Sequence, residues 1–150
     1  MGRARDNVVM DVAPETAIEL WTELDRWPAF IDGFGQVVRA DPDWPAVGSE
    51  LVWRSGSAGR GEVTERVEAL AADRFVTRVT EEALTGIQTV AAVPEDGASR
   101  VRLELDYELT KPGPLGPITD VLFVRRALRD ALRRTLVRYA SEAEARQQQP

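Results

Sequence analysis

Residues 99–110, SRVRLELDYELT, alternate apolar and polar side chains without a break. Val101, Leu103, Leu105, Tyr107 and Leu109 share one parity, and Arg102, Glu104, Asp106 and Glu108 share the other. A period of two marks a strand with one wet and one buried face. After a Pro/Gly elbow at 111–117 comes a helical pattern to about Ala145, with Val121, Val124, Leu128, Leu132, Thr135 and Tyr139 on one stripe. Such a stripe needs a partner, and so does the apolar face of the strand. A helix laid across the sheet satisfies both, and a curved sheet wrapped round one long helix leaves an interior space between them.

Upstream of this pair, residues 7–12 alternate, with Val8, Met10 and Val12 on one face. Ala13-Pro14-Glu15-Thr16 reads as a helix start: proline is tolerated at the first helical position, and Glu15 suits the positive end of the dipole. That helix is expected to reach about Asp25, with Ala17, Leu20, Trp21 and Leu24 inward; Pro28 ends it, and 27–31 can form a second short turn. Gly33 and Gly35 bend the chain. Strands are then expected at 36–41, 50–54, 62–70, 75–80 and 85–93, and Asp96-Gly97 suits the positive φ angles of a tight hairpin. The order β, α, α, six β, α, with short connections, implies an antiparallel sheet and an α+β fold.

At 150 residues the chain is expected to form one domain over 1–145, with a disordered tail at 146–150. There is no cysteine and no histidine, and lysine occurs once, at Lys111. Disulfides, thiolate chemistry and histidine-based acid–base or metal sites are therefore excluded. No metal and no cofactor is expected. A net charge of −6 argues against general nucleic-acid binding. No stretch approaches the ~20 apolar residues of a membrane span, and MGRARDNVV has no apolar signal core. A cytoplasmic protein, monomeric or homodimeric, is the expectation.

This element order resembles the START-like (SRPBCC, Bet v 1 helix-grip) superfamily, and more closely its polyketide cyclase/dehydrase-type members and bacterial aromatase/cyclases. The likeness is carried by Val12-Ala13-Pro14-Glu15 at the first strand–helix joint and by Leu24-Asp25-Arg26-Trp27-Pro28 between the small helices. Arg66-Val67-Glu68 and the loop Lys111-Pro112-Gly113-Pro114-Leu115-Gly116 add to it. It implies a helix-grip fold: a seven-stranded antiparallel sheet curved round a long C-terminal helix, with two short helices after the first strand. It also implies a cavity for a small hydrophobic, aromatic or polyketide-like molecule, and a cavity arginine at Arg66. Two departures stand out. Phe34 occupies a place where a related aromatase/cyclase has tyrosine, and the histidines of some such cavities are absent.

Two catalytic candidates follow. Arg66 would stabilise a developing oxyanion through its planar fork. Patterning, however, puts Val63 and Val67 on one face and Arg66 on the other with Glu62, Thr64 and Glu68; a bulge or a polar cavity would reconcile this with the resemblance. Tyr107 shares the inward face of the last strand, as a weak acid or ligand donor or as a core tyrosine. For ligand binding, Trp27, Phe30 and Phe34 form an aromatic gate or a minor core; Trp53 faces cavity or core; Gln88 is polar on an apolar strand; and Phe123 and Arg126 approach the cavity mouth. The six arginines at 125–138 read as a solvated face, with a partner-binding helix as the other reading. Two functions from different classes remain: a cyclase/dehydratase, and a non-catalytic lipid, quinone or antibiotic carrier.

Overall fold

The computed structural model describes residues 2–56, 61–110 and 117–147, with side chains of the last segment described from Val124 onward. Its elements are β1 (Gly2–Met10), α1 (Pro14–Thr22), a 3-10 turn (Leu24–Arg26), α2 (Trp27–Phe30), β2 (Phe34–Ala40), β3 (Glu50–Ser55), β4 (Glu62–Ala71), β5 (Arg74–Thr80), β6 (Leu84–Glu95), β7 (Ala98–Leu109) and α3 (Pro117–Gln147). The seven strands form one antiparallel sheet in the order β1-β7-β6-β5-β4-β3-β2. β1 and β2 are thus its opposite edges, and α1 and α2 carry the chain between them. This is the expected α+β helix-grip architecture.

The hairpin expected at Asp96-Gly97 is there. Both residues have positive φ (51° and 81°), and Glu95 faces Ala98 across a two-residue loop. On β7 the alternation holds throughout, Val101, Leu103, Leu105 and Tyr107 being buried. β1 begins earlier than expected. Gly2 and Ala4 continue the inward parity of Val8 and Met10 but carry little strand propensity. Gly2 lies opposite Tyr107, and a Cβ there would come within 2.4 Å of the phenol ring; a side chain is excluded because the tyrosine fills its place. α3 runs through Arg146 and Gln147, which the sequence places in the tail, and Arg146 lies 2.6 Å from Glu23 in an ion pair that lacks hydrogen-bond alignment. Residues 148–150 lie outside the described residues.

α1 ends without glycine, and its terminal carbonyls need other donors. Two indoles supply them: Trp27 Nε1 donates to the Trp21 carbonyl at 2.7 Å and Trp44 Nε1 to that of Thr22 at 3.0 Å. Trp27 is fully buried and meets Phe34, Trp44 and Trp53 edge-on, with centroids 6.1–6.3 Å apart. Phe30 packs on Trp21 and Tyr139 at 5.4 and 5.2 Å. Trp27 and Phe30, read as a possible aromatic gate, are therefore core: one caps a helix and the other seats α2 under α3.

Replacing Trp27 separates these two roles. Trp27→Phe keeps an aromatic ring but strands the Trp21 carbonyl, and is expected to cost about 1–3 kcal/mol. Trp27→Ala is expected to cost about 3–5 kcal/mol. Urea unfolding checks both; a phenylalanine variant as stable as the parent would show that the capping bond contributes nothing.

Candidate functional site

The concave face of the sheet and the inner stripe of α3 enclose a cavity of about 50 Å³. Val79, Leu103 and Leu105 form its sheet wall, Leu128 and Leu132 its helix wall, and Trp21 and Ile31 close one side. Into this apolar lining project Asp32, Trp53, Glu65, Gln88 and Thr135.

Glu65 is the unexpected member. It is 3% exposed, and its carboxylate accepts hydrogen bonds from Trp53 Nε1 at 2.8 Å and Thr77 Oγ1 at 3.1 Å. A buried carboxylate persists only with such support. Its position follows from strand parity, since Val63, Glu65 and Val67 all point inward. The signal is present in the sequence: Glu65 is the one charged residue on an otherwise apolar parity, directly beside the arginine that the resemblance singles out.

Arg66 itself is exposed, on the outer face between Glu50 of β3 and Arg78 of β5. The strand does carry a bulge, but between Val67 and Ala69, past Arg66, so it does not turn the guanidinium inward. Pattern wins over resemblance here, and the cavity role expected of Arg66 fails for that reason. Tyr107 is 2% exposed, and its hydroxyl is buried without a hydrogen-bond partner among the described residues. Its ring lies over Gly2, and it does not line the cavity beside Glu65. Phe34 is half-buried and stacks on Trp53, with centroids 5.5 Å apart and a 30° tilt. Trp53 and Gln88 are among the residues that line the cavity. Arg126 is exposed on α3 and is not among these lining residues; the side chain of Phe123 lies outside the described residues.

A second polar feature is an orphan. Trp21 lines the cavity, and its Nε1 is buried with no hydrogen-bond partner among the described residues. An indole N–H is a donor only, so this one is left unsatisfied by the described residues. No group of three or more acidic side chains among the described residues is placed to hold a metal ion. No described helix is long and apolar enough to cross a membrane.

The cavity's width is held by contacts from α3. The Asp32 backbone N–H donates to Thr135 Oγ1 at 2.9 Å, and the Asp32 carboxylate receives Arg134 Nε and Nη2 at 3.0 and 3.1 Å and Arg138 Nη1 at 3.3 Å. The Arg134 hydrogen bonds, opposed by partial burial and aided by the charges of Arg134 and Arg138, hold the Asp32 carboxyl below its ordinary value. Tyr139 donates to the Ala17 carbonyl, and burial pushes its phenol well above the usual range.

Fold and cavity together define a helix-grip α+β domain whose sheet closes on a single long helix. The sequence matches, over residues 1–144, the family described as polyketide cyclase / dehydrase and lipid transport; the chain belongs to that family. No curated protein matches it. Among solved structures it is similar to TTHA0849 from Thermus thermophilus (19% identity, TM-score 0.76, covering 95% of this chain and 97% of that one). A START superfamily protein from Mycobacterium smegmatis is also similar (15%, 0.76, 97% and 99%), as is the Zhui aromatase/cyclase from Streptomyces sp. R1128 (14%, 0.73, 96% and 94%). At these identities the likeness is one of fold.

Asp32→Asn tests the clamp. A carboxyl whose native pKa is depressed contributes stability that is present above its unfolded value, ~3.9, and is lost as pH falls through the native value. The parent is therefore expected to exceed the variant in stability at neutral pH, with the gap closing below about pH 4. Urea titrations across that range check it; a gap unchanged down to about pH 2 would remove Asp32 as the titrating group.

Proposed function

We propose that this protein binds a small, mostly apolar molecule, aromatic or polyketide-like, with a carbonyl-type acceptor at its inner end. The observation that carries this reading is the buried N–H of Trp21, a cavity-lining residue, which has no hydrogen-bond partner among the described residues. Gln88 adds an amide that both donates and accepts, and Glu65 a buried acid. Membership of the polyketide cyclase / dehydrase and lipid transport family supports the same class of ligand.

Cyclisation is the sharper form of the proposal. A pocket that folds a flexible poly-carbonyl chain so that an enol carbon meets a carbonyl gains by proximity, up to ~7–11 kcal/mol in ideal cases. With Arg66 on the outside, the donors to a developing oxyanion are Trp21 Nε1 and the Gln88 amide. Carriage of a lipid, quinone or antibiotic without reaction is the second reading. The absence of histidine favours it, and so does the size of the space. About 50 Å³ admits an end group, whereas pockets for whole drug-sized molecules run to ~300–1,000 Å³, so full insertion has to part α3 from the sheet.

A matched pair of probes tests the acceptor requirement: 2-acetonaphthone and its hydrocarbon counterpart 2-ethylnaphthalene. The ketone is expected to bind the parent about tenfold more tightly, and Trp21→Phe to abolish that preference while leaving the hydrocarbon unaffected, as the loss of one hydrogen bond predicts. Equal binding of the two probes to the parent, or binding of neither, overturns the proposal. Turnover of a linear poly-β-ketone chain separates cyclase from carrier.

A further inference from the structure

At the β1 edge of the sheet, Arg5 and Arg102 from neighbouring strands meet Arg129 from α3 around an open groove of about 350 Å³, with Asp6 and Asn7 between them. Most described arginines form ion pairs: Arg3 with Glu104 and Asp106, Arg100 with Glu95, Arg133 with Asp6, Arg134 and Arg138 with Asp32. Arg5, Arg102 and Arg129 are in none among the described residues. Nor are the nearby acids uncommitted. Glu104, cross-strand from Arg5, takes Arg3 at 3.1 Å, and Asp6 takes Arg133 at 3.3 Å. Asn7, cross-strand from Arg102, accepts Arg100 Nη1 at 2.6 Å.

The groove thus gathers three arginines unpaired among the described residues, and one aspartate, on a chain whose net charge is −6. Like charges gathered in one concavity repel, and a counter-anion relieves them. Arg125 and Arg129 stand one turn apart on α3 and Arg133 one turn further, so the positive strip continues along the helix beside the groove. Guanidinium forks match phosphate oxygens bidentately, and a groove of this size lies within the range of small-ligand sites.

We infer that this groove binds a phosphate or pyrophosphate group, either of a soluble metabolite or of a lipid headgroup, at a site separate from the interior cavity. Arg5, Arg102 and Arg129 hold the phosphoryl oxygens. Asp6, kept in place by Arg133, repels any anion that comes too deep and confines it to the arginine side.

Calorimetric titration with inorganic pyrophosphate, at low and at physiological salt, is the direct test. Because these arginines are exposed and unpaired among the described residues, Arg102→Gln and Arg129→Gln are expected to fold normally, which circular dichroism confirms. Each is expected to weaken pyrophosphate binding at least tenfold, whereas Arg74→Gln, at an exposed arginine on β5 away from the groove, leaves it unchanged. Added salt should weaken binding to the parent, since exposed charges are screened. Co-sedimentation with phosphatidylcholine vesicles containing phosphatidic acid distinguishes the sources. Arg129-dependent vesicle binding assigns a lipid headgroup, and pyrophosphate binding without vesicle binding assigns a soluble phosphate. Binding of neither probe, or equal losses in Arg74→Gln and Arg129→Gln, overturns the site. Naphthyl-ketone binding in the same variants should be unaltered, so failure here leaves the cavity proposal standing, and the reverse.

Discussion

Everything in this structure that concerns function depends on where α3 lies across the sheet. Two hydrogen bonds to side chains one turn apart on its inner face fix that position. Tyr139 reaches down to the Ala17 carbonyl of α1, and Thr135 accepts the backbone N–H of Asp32 in the link between α2 and β2. Both act where water is scarce, so each loss strands a buried polar group. The arginines of the same helix then add charge. Arg134 and Arg138 converge on Asp32, and Arg133 takes Asp6 of β1. The positively charged face of α3 is thus more than a solvated one: three of its cations bind the helix to two separate parts of the chain.

At one end of the interior, aromatic side chains take the room that a guest would need. Trp27 stands edge-on to both Trp44 and Trp53, and Phe30 and Tyr139 press on Trp21. Capping explains why tryptophan in particular occupies two of these places. α1 stops at Thr22 with unsatisfied carbonyls in a buried setting, and an indole supplies both a large apolar surface and one N–H. Phenylalanine would fill the space and leave the carbonyls bare. Trp21 is the exception, an indole whose donor has no partner among the described residues, and that makes it the informative residue of the set.

Most of the architecture was legible in the sequence because it rests on period and turn chemistry. The alternation of β7, the Asp96-Gly97 hairpin and the stripe on α3 each follow from one local rule, and the rules agree with one another. What was illegible depended on contacts distant in sequence. Gly2 fits into β1 opposite Tyr107 because it has no side chain to meet the phenol ring, which no propensity reveals. Trp27 was ambiguous because aromatic residues near a short helix serve core and pocket equally well; the carbonyl that decides the matter is that of Trp21. Residues 65 and 66 give the sharper lesson. Parity placed Arg66 outside, and the structure follows it; Glu65, which shares the parity of Val63 and Val67 but went unread, points inward. The expectation of a cavity arginine came from resemblance alone, and the bulge that would have rescued it lies too far along the strand.

That exchange matters for the chemistry this fold can host. The scaffold does not dictate a reaction; the inward-facing residues do. An arginine in the cavity would offer a permanent positive charge to a developing oxyanion. This cavity offers instead neutral donors, an indole N–H and an amide, with a buried carboxylate held by Trp53 and Thr77. Neutral donors bond more strongly to an oxyanion than to the carbonyl it forms from, but they bring no net charge of their own. On the proposed reading, a ligand is recognised by its shape and by the acceptor it brings to Trp21. Any reaction within the cavity then owes more to the enforced proximity of the guest's own groups than to charge supplied by the protein.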